Sequence, residues 1–522
     1  MKTIKYILGS LAAALSLTAC VGDLNVTPID PNANTADKAL ATEAQFKAYL
    51  ASSYLGFATS GYYGANGDPS ISGLDGGASQ YIRGLFHHSE LTTDEAVCGW
   101  NDQTIKNFHW MNWTTDDTFI YAFYSRILMQ VSATNEFIRE AAKYGENVAN
   151  RDEYIAEARV LRAIAYYHAI DNFGSVPFAD ETSIVGSVPV QMSRAELYSW
   201  LENELLDLIN NSALAAPRAN GYARADKGVA KFLLAKLYLN AEVFTGTPQW
   251  QKCADVLKDL MDDGYSLHTT ANGEKFSAYQ DLFLADNDKC TDEIIFAIQQ
   301  DGVNTTSYGV TNYLIFASTG GTMDPAEMGI SSGWGGLRTT PEFYNKFGSD
   351  DKRSLFFTSG QQKDIDDIGD FTNGFAFMKF RNIKSDGEPG QELGFVDTDF
   401  PMMRYADVLL MAAECQVRGA SIDGLAAYNQ VHERAGLPAA SAITLQDVID
   451  ERGRELYQEC WRRNDLIRLG CSPPTSMSGS GRATSRKARL WTTTATSSRF
   501  RIPTGLPTVT SSRIPAINRF PL

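Results

Sequence analysis

Two short stretches carry residue types that suit a surface for sugars: Gly99-Trp100-Asn101-Asp102 and Ser332-Gly333-Trp334-Gly335-Gly336. A sugar presents apolar C–H faces and a rim of hydroxyls, so its binding surface needs flat aromatic rings for stacking and short polar groups for orientation. Trp100, Asn101 and Asp102 supply both kinds in three residues. The same residues also allow Trp100 to pack inward with its N–H satisfied, and their types alone leave the two readings even. Trp334 stands among glycines that contribute no packed core, which favours a ring turned toward ligand. Tyr308 and Tyr313, in a stretch rich in Gly, Asn and Thr, are weaker candidates. Trp110 and Trp113, at i and i+3, read as a core stripe, and so does Trp250 at a helix start.

Other chemistries find less support. Asp94-Glu95, Asp116-Asp117 and Asp366-Asp367 resemble the paired carboxylates of a glycosidase, but a chain with 62 acidic residues places carboxylates side by side as a solvated face. His87, His88 and His109 have no Cys or carboxylate at a recognised metal spacing, so they read as unligated surface or core histidines. The Asp-rich loops of 350–370 could hold calcium but lack the EF-hand pattern. No metal or other cofactor is expected.

A third chemistry sits at the start of the chain. Lys2 and Lys5, the apolar run Tyr6 to Leu17, and Ala19 before Cys20 form a 19-residue leader. Its apolar run is shorter than the ~20 residues a membrane span needs, so export and cleavage fit better. Leu17-Thr-Ala-Cys20 looks like a lipobox, which implies that Cys20 becomes the first mature residue and carries lipid. Two or more acyl chains, at ~0.8 kcal/mol per buried methylene, hold a protein on a membrane stably. Val21 to Thr35 has Pro28, Pro31 and no apolar period, and reads as a tether of ~20 Å average reach.

The bulk composition narrows the partners. About 500 residues follow the leader, with 44% hydrophobic and 21% charged residues in the whole chain, enough for a large core. A net charge of −16 argues against nucleic acid and anionic lipid, which are bound through surplus Lys and Arg. Seven cysteines, scattered and without a CxxC pair, describe neither a disulfide framework nor a zinc site. They read as buried thiols, Cys20 apart.

The elements that must position these residues are mostly helices. Thr42-Glu-Ala-Gln45 and Ser193-Arg-Ala-Glu196 are capping boxes before periodic apolar runs. Amphipathic segments run over 119–144 and 154–173, the second rich in Ala. Residues 228–241 and 250–263 read as a helix hairpin, although no clean 34-residue repeat is present. From about 268 to 400 the texture turns to Gly, Asn, Asp and aromatics with short apolar runs such as Ile294-Ile-Phe-Ala297, the mark of a loop-rich half with a few strands. Helices return over 402–417, 424–435 and 444–469. Residues 471–522 hold nine Ser, nine Thr, eight Arg or Lys and no acidic residue, an abrupt change that suggests a frame-shifted, disordered end.

Several separated motifs resemble the SusD/RagB family of nutrient-uptake outer-membrane lipoproteins. Ile155-Ala-Glu-Ala-Arg-Val-Leu-Arg-Ala-Ile-Ala-Tyr-Tyr167 with Phe173-Gly-Ser-Val-Pro177 is similar to its signature helix and turn, and 93–102 to its ligand-side loop. Leu337-Arg-Thr-Thr-Pro-Glu-Phe343, Met403-Arg-Tyr-Ala-Asp407, Asn429 to Gly436, Asp450 to Leu456 and Asp465-Leu-Ile-Arg468 continue the likeness in order. Two departures stand out: Cys460 occupies a position usually held by Gly, and 471–522 lacks the family's closing segment.

The resemblance implies a mainly α, SusD-like fold of tetratricopeptide-like helix pairs with an irregular ligand-binding half. The expected division is leader 1–19, lipidated Cys20 and tether 20–36, helical domain 37–270, C-terminal domain 271–470, and atypical tail 471–522. It implies a non-catalytic, surface-exposed outer-membrane protein that hands oligosaccharide to a TonB-dependent transporter of the SusC type. It also tips Trp100 toward ligand. The alternatives are a surface glycoside hydrolase and a tetratricopeptide-type scaffold for protein partners.

Overall fold

The computed structural model describes residues 40–114 and 116–470. The expected leader, Cys20, the expected tether and the tail from 471 lie outside the described residues. Helix α1 (Glu43–Ala58) begins at the expected capping box, where the Gln45 N–H donates to Thr42 Oγ1 at 3.4 Å and the Thr42 N–H to Gln45 Oε1 at 3.0 Å. These bonds satisfy donors that the first helical turn otherwise leaves open. After it come α2 (Tyr81–Ser89), strand β1 (Ala96–Cys98), α3 (Gln103–Trp110), α4 (Thr118–Tyr144) and α5 (Arg151–Asn172). The alanines of α5 at 156, 158, 163, 165 and 169 are all buried, and such small side chains let α4 and α6 approach closely.

A short pair, β2 (Val176–Pro177) with β3 (Gln191–Met192), leads to α6 (Arg194–Asn210), which starts at the Ser193–Glu196 capping box. Helices α7 (Lys227–Leu239), α8 (Ala241–Thr245) and α9 (Trp250–Met261) follow. Packing runs α4 on α5, α5 on α6, α6 on α7 and α7 on α9, the stacking of helix pairs that the apolar periods predict. Trp250 is half-buried at the start of α9, beneath the Arg418 guanidinium.

The loop-rich half contains α10 (Ala278–Asp281), β4 (Ile294–Ile298), α11 (Val310–Ala317), β5 (Leu337–Thr339), α12 (Pro341–Tyr344), β6 (Phe356–Phe357), β7 (Ala376–Phe377) and β8 (Phe400–Arg404). Four strands form an antiparallel sheet in the order β1-β5-β7-β6, while β4 pairs with β8. Helix α13 (Tyr405–Val417) then packs on α9, on α14 (Gly424–Arg434) and on α15 (Leu445–Leu456), and α16 (Arg462–Arg468) ends the described chain. One hydrophobic cluster extends from Phe57 to Trp461 and draws on helices of both halves.

The helix expected over 444–469 is two helices. Between α15 and α16, Gln458 and Cys460 have φ of 61° and 69°, in the left-handed region. A side chain there costs roughly 1–2 kcal/mol, which gives a physical reason for glycine at the position Cys460 occupies. Buried charge holds the break in place: Lys379 Nζ donates to the Tyr457 carbonyl at 2.6 Å and to Glu459 Oε1 at 2.7 Å. Arg404 Nε donates to Glu459 Oε2 at 2.8 Å. Removing one partner of such a buried pair typically costs about 3–5 kcal/mol, because the other charge is stranded.

Asp94 and Glu95 belong to the same junction and are not a solvated pair. Arg462 clasps Asp94 with two bonds of 2.7 Å, and the Gln458 N–H donates to Glu95 Oε1 at 2.7 Å. Their carboxylates are spent on fastening the C-terminal helices to the segment that enters β1. By contrast, Asp366 and Asp367 are exposed, as a solvated pair should be. Asp117 caps α4, accepting from the Phe119 N–H at 3.1 Å.

Candidate functional site

Strand pairing is what brings the candidate aromatics together. Trp100 lies two residues after β1 and Trp334 three residues before β5, and the antiparallel register sets Cys98 opposite Leu337. The Gly99 N–H donates to the Gly336 carbonyl at 2.9 Å, extending the ladder to the loops that carry both rings. The other side of the Trp334 loop is fixed to the end of α11. The Trp334 N–H donates to the Phe316 carbonyl and the Gly336 N–H to the Ala317 carbonyl, each at 2.7 Å.

The rings meet in one cluster. Trp100 and Trp334 have centroids 6.4 Å apart, and Trp100 Nε1 donates to the Trp334 carbonyl at 3.2 Å. Tyr308 stands edge-on to Trp334 at 5.8 Å. All three rings are half-buried, so each keeps a portion of face or edge toward solvent. Gly336 makes the close packing possible: a Cβ there would lie 2.7 Å from Trp100 Cε2.

Tyr313 is corrected by the structure. It is wholly buried on α11, near His87 Nε2 (3.1 Å) through its hydroxyl, and forms the floor beneath Trp100, 5.9 Å between centroids. It therefore presents no face to a ligand: all eight residues of α11 are buried, so the helix is covered on every side and no ring on it reaches solvent. His87, His88 and His109 are buried core residues, with His109 Nε2 accepting from the Cys98 N–H at 3.1 Å. Burial holds the His87 ring well below the ordinary imidazole value, and it packs against Phe119.

Polar groups rim the rings. Asn101 and Asp102 are exposed beside Trp100; Asn101 Oδ1 accepts from Lys106, and Asp102 makes no cap bond to α3, leaving its carboxylate open. Asn66 donates to the Tyr308 hydroxyl at 3.0 Å. Asp75, exposed, accepts from the Gly77 N–H at 2.7 Å where Gly77 faces the Tyr308 ring. Arg83, on the first turn of α2, lies over Tyr313 at 4.6 Å and over Trp100 at 5.6 Å. Burial pulls its guanidinium below the ordinary arginine value, opposed by Tyr313, Cys98, Asp75 and Asp102.

Asn66, Asp75 and Arg83 escaped the sequence reading. An arginine in a helix gives no local sign of lying under a tryptophan, and Asp75 and Asn66 sit in polar loops of ordinary composition. The only signal was the density of glycine from Ser60 to Gly77. Trp110, read as core, is 47% exposed. Among the described residues no group of three or more His, Cys, Asp or Glu is placed to hold a metal, and no helix is long and apolar enough to cross a membrane.

Fold and site together define a class: stacked helix pairs bearing an irregular half whose loops expose clustered aromatic rings among hydrogen-bonding groups. The chain belongs to the SusD family. The family's sequence profile matches residues 358–495. The starch-binding protein SusD of Bacteroides thetaiotaomicron is 30% identical over 90% of this chain and 91% of its own length. A SusD-like protein of Bacteroides ovatus is 25% identical over 66% of this chain and 64% of its own. Among solved structures, surface glycan-binding protein A of B. thetaiotaomicron in complex with laminarihexaose superposes with a TM-score of 0.64 at 19% identity, covering 82% of this chain and 91% of that one. A laminarin-binding SusD-like protein gives a TM-score of 0.64 at 20% identity, covering 82% and 92%.

Proposed function

We propose that this protein binds oligosaccharide, with starch-type α-glucan as the class, on the face formed by Trp100, Trp334 and Tyr308. The carrying observation is the convergence of three half-buried rings from distant parts of the chain, in a relative of a protein named for binding starch. Trp100 and Trp334 stack on sugar rings, while Asn101, Asp102, Asp75 and Arg83 meet hydroxyls at the rim. Binding leaves the glycan chemically unchanged, a reading supported by relatives named for binding and by the engagement of the adjacent carboxylates Asp94 and Glu95 with Arg462 and Gln458. In the cell the protein is held at the outer-membrane surface by lipid on Cys20 and passes its ligand to a TonB-dependent transporter of the SusC type.

Isothermal titration of the body lacking residues 1–20 with malto-oligosaccharides tests the binding. Saturable heat in wild type, weakened in Trp100→Ala and Trp334→Ala, is the expected result. Wild-type affinity in both folded variants, or release of reducing ends from the bound glycan, refutes the reading. Co-purification of a SusC-type barrel with the full-length protein, retained in Trp100→Ala and Trp334→Ala, tests the partnership separately, and absence of such a barrel from the wild-type preparation refutes it.

A further inference from the structure

Helix α3 runs directly from the Trp100 loop and carries a second aromatic residue at its far end. Its buried face is Ile105, Phe108 and His109. The opposite face presents Gln103, Lys106, Asn107 and Trp110, the spacing of one side of a helix. Contacts along this face are continuous. Lys106 Nζ donates to Asn101 Oδ1 at one end, Gln103 Nε2 donates to Asn107 Oδ1 at 2.9 Å, and Lys106 and Asn107 are the i−4 and i−3 neighbours of Trp110. Asn107 Nδ2 also donates to Asp117 Oδ2 at 2.8 Å, which ties this face to the start of α4.

Trp110 is held at a defined place although its ring is open. The helix ends on Met111, whose φ of 49° reverses the chain while its N–H donates back to the Phe108 and Asn107 carbonyls. Trp113 turns the other way and packs on Phe108, 6.2 Å between centroids. Among the described residues Trp110 is the one tryptophan left exposed; the others pack in or against the main cluster. From Asp102 to Trp110 the helix advances about 12 Å, a span of a few linked sugar rings.

We infer that Trp110 is a distal stacking subsite for the same glycan chain, reached along the amide and ammonium groups of α3, so that the protein reads chain length. This rests on the binding face proposed above. Short oligosaccharides occupy Trp100, Trp334 and Tyr308 alone. Longer ones continue over Asn101, Lys106 and Asn107, whose donors and acceptors meet sugar hydroxyls, and end against the Trp110 ring.

The test is titration of wild type, Trp110→Ala, Trp110→Phe and Trp100→Ala with maltotriose and with maltoheptaose. Trp110→Ala is expected to bind maltotriose as wild type does and maltoheptaose about five-fold more weakly, with Trp110→Phe recovering most of the loss. Because the ring is exposed, thermal unfolding should be unaltered in both variants. Wild-type affinity of Trp110→Ala for maltoheptaose overturns the inference, and so does an equal loss for both lengths. Failure of the parent reading looks different: Trp100→Ala is then without effect on either ligand, or neither ligand binds wild type, and the distal subsite falls with it.

Discussion

Replacing Gly336 by Ala adds one methyl group where the structure has no room for it. The new Cβ would lie 2.7 Å from Trp100 Cε2, 2.8 Å from Nε1 and 3.0 Å from Cζ2. Carbon atoms rest about 3.5–4.0 Å apart, so the indole must retreat by roughly 1 Å. Its bond to the Trp334 carbonyl, already 3.2 Å long, does not survive that displacement. Overpacking of this kind costs about 1–3 kcal/mol, offset by up to about 1 kcal/mol from the reduced freedom of the unfolded chain. Stability should therefore fall by about 1–2 kcal/mol, a Tm decrease of a few degrees at most. Affinity for malto-oligosaccharide should fall several-fold because Trp100 no longer stands in line with Trp334. Tryptophan emission, thermal melts and titration report the three effects separately. Gly348→Ala, where a Cβ meets nothing within 4 Å, is the control and should be neutral or slightly stabilising. Wild-type affinity and Tm in Gly336→Ala would refute the reasoning that Gly336 seats the Trp100 ring.

Trp100→Ala and Trp334→Ala should each lose about 1 kcal/mol or more of binding, several-fold to ten-fold in Kd, by titration with intact folding. Cys20→Ser should abolish acylation and move the protein out of the membrane fraction; undiminished membrane retention would contradict lipid at this residue. Cys460→Val should melt well below wild type, since a β-branched side chain suits the left-handed backbone at φ 69° even less than cysteine does, whereas Cys460→Gly should be tolerated. Burial raises the Asp399 carboxyl from the ordinary 3.8 to about 7, against the Gln300 N–H that donates to it at 2.6 Å. A raised carboxyl stabilises the fold fully below its unfolded value, so this contribution is lost as pH rises from about 4 through 7. Asp399→Asn should flatten the Tm profile in that window, and an unchanged slope would count against the assignment.

Much of the helical frame was legible in the chain because its signals are local. The capping boxes at Thr42 and Ser193, the apolar period of 119–144 and the alanine face of α5 act over one or two turns, and the structure has them where the sequence places them. Family membership was likewise written in ordered motifs, whereas the glycines beside Trp334 did not reveal that its ring is half-buried and packs against the main cluster. What tertiary structure decided depends on residues far apart. Strand β1 is three residues long and pairs with β5 more than two hundred residues away, so no period could reveal that Trp100 and Trp334 meet. Tyr313 and Trp110 exchanged their expected places because burial follows which helix face a neighbour covers, and α11 is covered where the end of α3 is not. The break at Gln458 and Cys460 had no turn residue to announce it. Glu95, Lys379 and Arg404, from three other segments, bind the backbone and the Glu459 carboxylate there, and these distant bonds hold the break.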